Sequence, residues 1–94
     1  MDSDNKKYAK IFKALCDEQR LHILDLLRSG TKCGCELLEK VEIGQSSLSY
    51  HMKILVESGI VESEQKGKWT HYHISKSGSD FALKILKEKT SIND

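Results

Sequence analysis

The chain has 94 residues, with Lys plus Arg at 15, Asp plus Glu at 14 and a formal net charge of +1. That length is one domain, 1–94, and excludes an enzyme with separate cofactor and substrate lobes; the charge balance excludes a histone-like polycation. Apolar residues at 38% and charged residues at 31% exclude a disordered polyelectrolyte, yet so short a chain is marginal as a monomer, which dimerisation would remedy.

The polar opening through Lys7 is expected to fray over residues 1–5. From Lys6 to Leu15 the spacing of Tyr8, Ile11, Phe12 and Leu15 predicts a helix. Asp17 is the N-cap expected for a second helix, with Leu21, Leu24 and Leu27 on one face, stopped at Ser29-Gly30. An extended piece, Thr31 to Gly34, leads to a short helix from Cys35 to Val41. Glu42 to Gln45 reads as a tight turn, and Ser46 or Ser47 as the start of a longer helix to Ser58 with Leu48, Met52 and Leu55 buried. Beyond Gly59, Ile60–Gln65 and Trp69–Ile74 are strand-like runs around Lys66-Gly67-Lys68, a hairpin signal. Ser77 to Asp80 offer caps for a last helix from Phe81 to Lys89, with 90–94 frayed. Proline is absent, and glycine does the punctuating. The order predicts an α+β, mainly helical winged helix-turn-helix.

No apolar run approaches the roughly 18 residues of a membrane helix, and the opening does not read as a signal peptide. The expectation is a cytoplasmic chain with no membrane partner. Its three cysteines are then reduced thiols, either packed or available to a soft ion.

With Leu48, Met52 and Leu55 inward, the longer helix presents Ser46, Ser47, Ser49, Tyr50 and Lys53, with Gln45 at its start. Small hydroxyls suit close approach to a major groove, where serine donates to phosphate or reads a base edge and Lys53 neutralises a phosphate. Lys66 and Lys68 at the hairpin tip suit a wing on the DNA backbone. The plain alternative is an ordinary solvated helix face. Lysines 53, 66, 68 and 76 only just outnumber the acids at 57, 62 and 64, so affinity should be modest and salt-sensitive.

Four ordered stretches resemble the ArsR/SmtB family of winged-helix metalloregulators. Ala14 to Leu24 is similar to its "ALADPTRLRIL" segment, and Cys33-Gly34-Cys35-Glu36-Leu37-Leu38 to its "CVCDL" box. Gln45 to Leu55 is similar to its recognition helix, and Gly67 to Ile74 to its wing. The resemblance implies a homodimeric repressor, paired through the first and last helices, that binds an inverted-repeat operator without a cofactor and leaves it on binding an inducer.

Zinc sensors of that family carry Asp and His on the last helix; residues 77–94 hold neither His nor Cys, so that site is absent. Cys33 and Cys35 remain, and thiolates favour a soft ion. In a continuous helix two such residues point about 200° apart, so joint capture needs the helix to begin after Cys33 or to unwind, with Gly34 as the pliable link. Trivalent arsenic or antimony fits this pair and fits what the resemblance implies for it. Some arsenic-sensing members carry a third cysteine where this chain has Leu38, which leaves Cys16 or a small thiol from solution as the third ligand. Cadmium and lead sensors draw further cysteines from the N-terminal arm, where residues 1–15 hold none.

Plainer readings stand beside these. Cys16 is expected to be small apolar filler, and the Cys33/Cys35 pair can alternatively sense oxidants or simply pack. His71 and His73, on one strand face, read as surface histidines of a wing rather than a metal pair. His51 reads as partly buried and hydrogen-bonded, His22 as a helix-edge residue, and Trp69 as wing packing. No glycine-rich phosphate loop or nucleophile turn supports catalysis. A winged helix used only for protein–protein contact is the remaining alternative.

Overall fold

The computed structural model describes residues 3–93. In chain order it contains α1 (Ser3–Leu15), α2 (Glu18–Leu27), β1 (Lys32–Cys33), α3 (Gly34–Lys40), α4 (Gln45–Glu57), β2 (Val61–Lys66), β3 (Trp69–Ile74) and α5 (Lys76–Lys89). Helices α3 and α4 form the helix-turn-helix, and β2 with β3 form the wing. This is the winged architecture that the sequence predicts, with one added strand. The sheet is antiparallel in the order β1-β3-β2. Lys32 pairs with Tyr72 and Cys33 with His71, while β2 runs against β3 from Val61–Ile74 to Lys66–Trp69.

The core sits between the helices and the root of the wing. Ile11 and Ala14 of α1, Ile23 and Leu27 of α2, Leu37 of α3 and Leu48, Met52 and Leu55 of α4 meet there. In α4 the buried stripe falls as expected, at positions 48, 52 and 55, so the opposite face is turned outward. In α2 it does not. Leu21 is exposed, and Arg20, Ile23 and Leu27 are the buried residues. The expected leucine face is rotated because Arg20 turns inward to satisfy backbone carbonyls.

Several boundaries also move. Helix α1 begins at Ser3, so Ser3 to Asn5 are helical rather than frayed; Met1, Asp2 and Asp94 lie outside the described residues. Helix α4 opens at Gln45 with Gly44 as N-cap, so neither Ser46 nor Ser47 caps it. The expected extended piece after α2 becomes β1, whose partner is almost forty residues further along the chain.

Helix α5 starts five residues before the expected Phe81. Ser75, leaving β3, caps it at once, its Oγ accepting from the Gly78 N–H at 3.0 Å. Gly78 is thus not a breaker but a contact. Its Cα lies against the turn at Gly59, which has a left-handed φ of 85°. A Cβ at position 78 would stand 1.8 Å from the Gly59 carbonyl oxygen. Because that atom belongs to a tight turn, relief requires moving α5. Gly78→Ala should therefore lower stability by about 1–3 kcal/mol, read as a lower melting temperature. An unchanged melting curve would mean that α5 does not dock on this turn.

Candidate nucleic-acid interface and thiol site

Helix α4 is held from behind by one guanidinium. Arg20 Nε donates to the Ala14 carbonyl at 3.0 Å and Nη2 to the Lys13 carbonyl at 2.9 Å, closing the C-terminal end of α1. Its Nη1 meets His51 Nδ1 of α4 at 3.0 Å. Arginine has no acceptor, so Nη1 donates and the His51 ring proton resides on Nε2. Asp17 completes the junction, its carboxylate accepting from the backbone N–H groups of Gln19 at 2.9 Å and Arg20 at 3.2 Å. The Arg20 N–H above all, aided by that of Gln19 and by the Arg20 charge, holds the Asp17 carboxyl below its ordinary value against the opposing effect of burial. His51 is thus half-buried and hydrogen-bonded as expected, whereas Arg20 is a positioning residue that helical spacing did not disclose.

With its inner face so fixed, α4 presents Gln45, Ser46, Ser47, Ser49, Tyr50 and Lys53 outward, all exposed. The Gly44 cap offers no side-chain bond, so the serine hydroxyls and first-turn amides are not spent on capping. Beside this face stands the wing, turned at Gly67 with φ 64°. Gln65 braces the tip: its Nε2 donates to the Gly67 carbonyl at 3.1 Å and its Oε1 accepts from Thr70 Oγ1 at 2.8 Å. Lys66 and Lys68 flank that turn, both exposed.

The thiols lie just behind these elements. Cys33 is the N-cap of α3, so that helix begins after it, as joint capture requires. Its Sγ accepts from the Cys35 N–H at 3.3 Å, and its own N–H donates to Glu36 Oε1 at 3.1 Å. Cys33 is buried and Cys35 exposed. Cys35 opens into a cavity of about 560 Å³ between α3, α4 and the wing, walled also by Gln45, Ser49, Lys68 and Trp69. The adjacent Cys33 thiol raises the Cys35 thiol above its ordinary value.

Three expectations are corrected. Cys16 is exposed rather than packed filler, on the α1–α2 junction, where its N–H donates to the Lys13 carbonyl at 3.1 Å. Trp69 is 54% exposed, a wall of the cavity rather than wing packing. His71 is half-buried beneath the sheet surface rather than a plain surface histidine. Among the described residues, no three His, Cys, Asp or Glu side chains are grouped to hold a metal, so Cys16, Cys33 and Cys35 are not a ready-made triad.

The profile of the family described as "Bacterial regulatory protein, arsR family" matches residues 17–63, from the α2 cap through α4 into the wing. The chain belongs to this family. It is therefore a DNA-binding transcriptional regulator of the ArsR type and not an enzyme. It is 44% identical over 71 residues to the arsenical resistance operon repressor of Bacillus subtilis, covering 74% of this chain and 68% of that one. With the arsenical resistance operon repressor of Escherichia coli it shares 39% over 80 residues, 84% of this chain and 68% of the relative. In fold it resembles an ArsR-like transcriptional regulator from Rhodococcus, with a TM-score of 0.79 at 24% identity over 94% of this chain and 82% of the other. No described helix is long and apolar enough to cross a membrane.

In this ArsR-type chain the Arg20 junction sets where α4 stands, and its removal leaves two carbonyls and a ring nitrogen without their donor. Arg20→Met should cost about 2–4 kcal/mol in chemical denaturation. A loss below about 0.5 kcal/mol would show that the junction is held by packing alone.

Proposed function

We propose that the chain is a homodimeric repressor that releases an inverted-repeat operator when trivalent arsenic or antimony is captured by Cys33 and Cys35. The observation that carries this reading is the position of Cys35, in a cavity whose other walls are the recognition helix and the wing. The arsenical resistance repressors among its relatives support the inducer class.

Each recognition helix enters a major groove with Gln45, Ser46, Ser47 and Ser49 nearest the base edges and Tyr50 and Lys53 toward the backbone. Lys66 and Lys68 contact phosphates, and no cofactor is needed for this. Capture exchanges two As–O bonds of arsenous acid for two As–S bonds, with the thiol protons leaving in two waters. A third thiolate comes from Cys16 or from a small thiol in solution. Ligation draws electron density from Cys33 Sγ and turns it toward the ion, so capture weakens the bond it accepts from the Cys35 N–H and shifts the first turn of the helix that supports α4. The expected coupling is about 1–3 kcal/mol, roughly a 5- to 150-fold loss of operator affinity. The reduced thiols this needs fit the cytoplasm.

The dimer forms through α1 and α5. Leu83 is 67% exposed and Leu86 47%, beside an apolar hollow of about 340 Å³ walled by Phe12, Leu15, Leu24 and Ala82. Leu83→Asp should yield a monomer at micromolar concentration in sedimentation, with operator binding lost. Wild-type protein that sediments only as a monomer would overturn the dimer.

The inducer is tested by operator titration with and without arsenite. Cys33→Ser and Cys35→Ser should each bind the operator but no longer release it, since a hydroxyl can still cap a helix and does not hold a soft ion. Cys16→Ser decides the third ligand by losing or keeping the response. In parallel, Lys68→Ala should weaken binding to all sequences alike and flatten the salt dependence. If both single variants at 33 and 35 still release DNA on adding arsenite, the cysteine-pair reading fails.

A further inference from the structure

We infer that the chain carries a second effector site, at the end of α4 opposite to Gln45, for a small amphipathic anion: one acid group on an acyl or aryl body. The inference goes beyond the thiol reading above and uses none of its residues.

The site is an open cavity of about 1010 Å³ where α1, the last turn of α4, the root of the wing and the start of α5 meet. Its size is that of a small-molecule pocket. Ile11 and Val61, at 4% and 1% exposure, close an apolar floor together with half-buried Val56 and Phe81. The same cavity is lined by Lys6, Lys7 and Lys10, about one turn of α1, all exposed. Their charge is not spent on carboxylates. The ion pairs of the described residues engage Arg28, His51, His73 and Lys76, and Lys7 Nζ lies 5.9 Å from the centre of the Phe81 ring. The surplus is local: α1 and α5 hold eight lysines against Asp4, Asp80 and Glu88, in a chain whose net charge is only +1.

Charge and apolarity together choose the occupant. Lysine ammoniums are point charges on flexible stems and accept an acid head of any geometry. A nucleic-acid backbone or an inorganic ion would answer the lysines but leave the apolar floor wet, whereas an acyl or aryl body covers it. Glu62 and Glu57 also line the cavity. Glu62 Oε1 is engaged with His73 Nε2 at 3.2 Å, and Glu57 opposes a second acid group, so the fit is to a monoanion. The placement couples this site to DNA reading. Ser58, on the cavity wall, ties the end of α4 to the root of the wing: its Oγ donates to the Leu55 carbonyl at 2.6 Å and accepts from the Ile60 N–H at 3.1 Å. A body wedged between that joint and α1 displaces α4 relative to the wing. A dimer built on α1 and α5 leaves the cavity open, because Lys10 is about 160° round α1 from Phe12, which walls the hollow beside Leu83.

The test uses reduced full-length protein and two probes, the fluorescent aryl sulfonate anilinonaphthalene sulfonate and the acyl carboxylate decanoate. The sulfonate should bind saturably, be displaced by decanoate and lose affinity as salt is raised. Decanol, the same body without its charge, should displace it at least about tenfold less well. Lys6→Glu and Lys10→Glu together should weaken both anions at least about tenfold while the operator is bound as by wild type. In methyl-labelled wild type, decanoate should shift the Val56 and Val61 signals and leave those of Leu83 and Leu86 in place, a readout that needs no variant. Saturating decanoate should lower operator affinity about 5-fold or more, equally in wild type and Cys35→Ser. No saturable binding, equal displacement by decanol, equal anion affinity in the double variant, or shifts at Leu83 and Leu86 instead would each overturn the inference. So would unchanged operator affinity with the site filled, or loss of operator binding in the double variant, since the lysines would then serve DNA. Arsenite is absent throughout, so its failure to release wild type would overturn the thiol reading alone.

Discussion

The buried Arg20 guanidinium is the constraint on which the recognition surface depends. A permanent charge at 5% exposure is tolerated only when its donors are satisfied, and here they reach two carbonyls of α1 and the His51 ring of α4. The two carbonyls end α1, where the helix dipole is negative and a cation is favourable. The same residue is in the first turn of α2, whose N-cap Asp17 stands 3.9 Å from His51. One side chain thus fixes three helices relative to one another, and the serine face of α4 is oriented by what lies behind it.

A second economy concerns Cys33. As N-cap it sustains a helix of only seven residues, too short to persist without its cap and its packing. Oxygen caps contribute about 0.5–2 kcal/mol and a thiol sulfur, a weaker acceptor, less, which still approaches the lower end of the coupling free energies of about 1–3 kcal/mol between ligand sites in regulatory proteins. A group whose loss matters by that amount, placed next to α4, is suited to transmit occupancy without unfolding the domain. Leu37 anchors the rest of α3 in the core, so only its first turn is free to respond.

Much of this was legible in the sequence because local signals suffice for it. The 3.6-residue spacing of Leu48, Met52 and Leu55 gave the outward face of α4, and Lys66-Gly67-Lys68 gave the wing turn. Asp17 was recognisable as a cap, since a carboxylate before a helical run has few other roles. What escaped was set by distant partners. Arg20 displaced the leucine face of α2 because its acceptors lie on another helix. Ser75 captured the start of α5 ahead of Ser77 to Asp80 because β3 delivers it beside the Gly59 turn. Two residues of β1 carry no strand pattern of their own, and their pairing with β3 is what places His71 next to Cys33. Exposure of Cys16 and Trp69 was missed for the opposite reason: residue type suggests burial, and only the packed neighbours decide it.

The pairing of β1 with β3 makes Cys33 a junction of two routes to DNA. Through α3 and the cavity at Cys35 it adjoins Gln45 and Ser49 of the recognition helix. Through β3 it adjoins the wing that ends in Lys68. A two-residue strand contributes few ladder bonds, so it yields more easily than β2, which pairs with β3 over six residues. A change at Cys33 would therefore be absorbed by β1 and the first turn of α3, while the wing hairpin and the body of α4 move as intact units. In a dimer that reads two half-sites at fixed spacing, a small displacement of such intact units is enough to break register with the grooves, because each helix must meet its half-site at the same time. On the function proposed above, modest free energy at each thiol site would be compounded by the two-fold geometry, and DNA release would need no large rearrangement of either subunit.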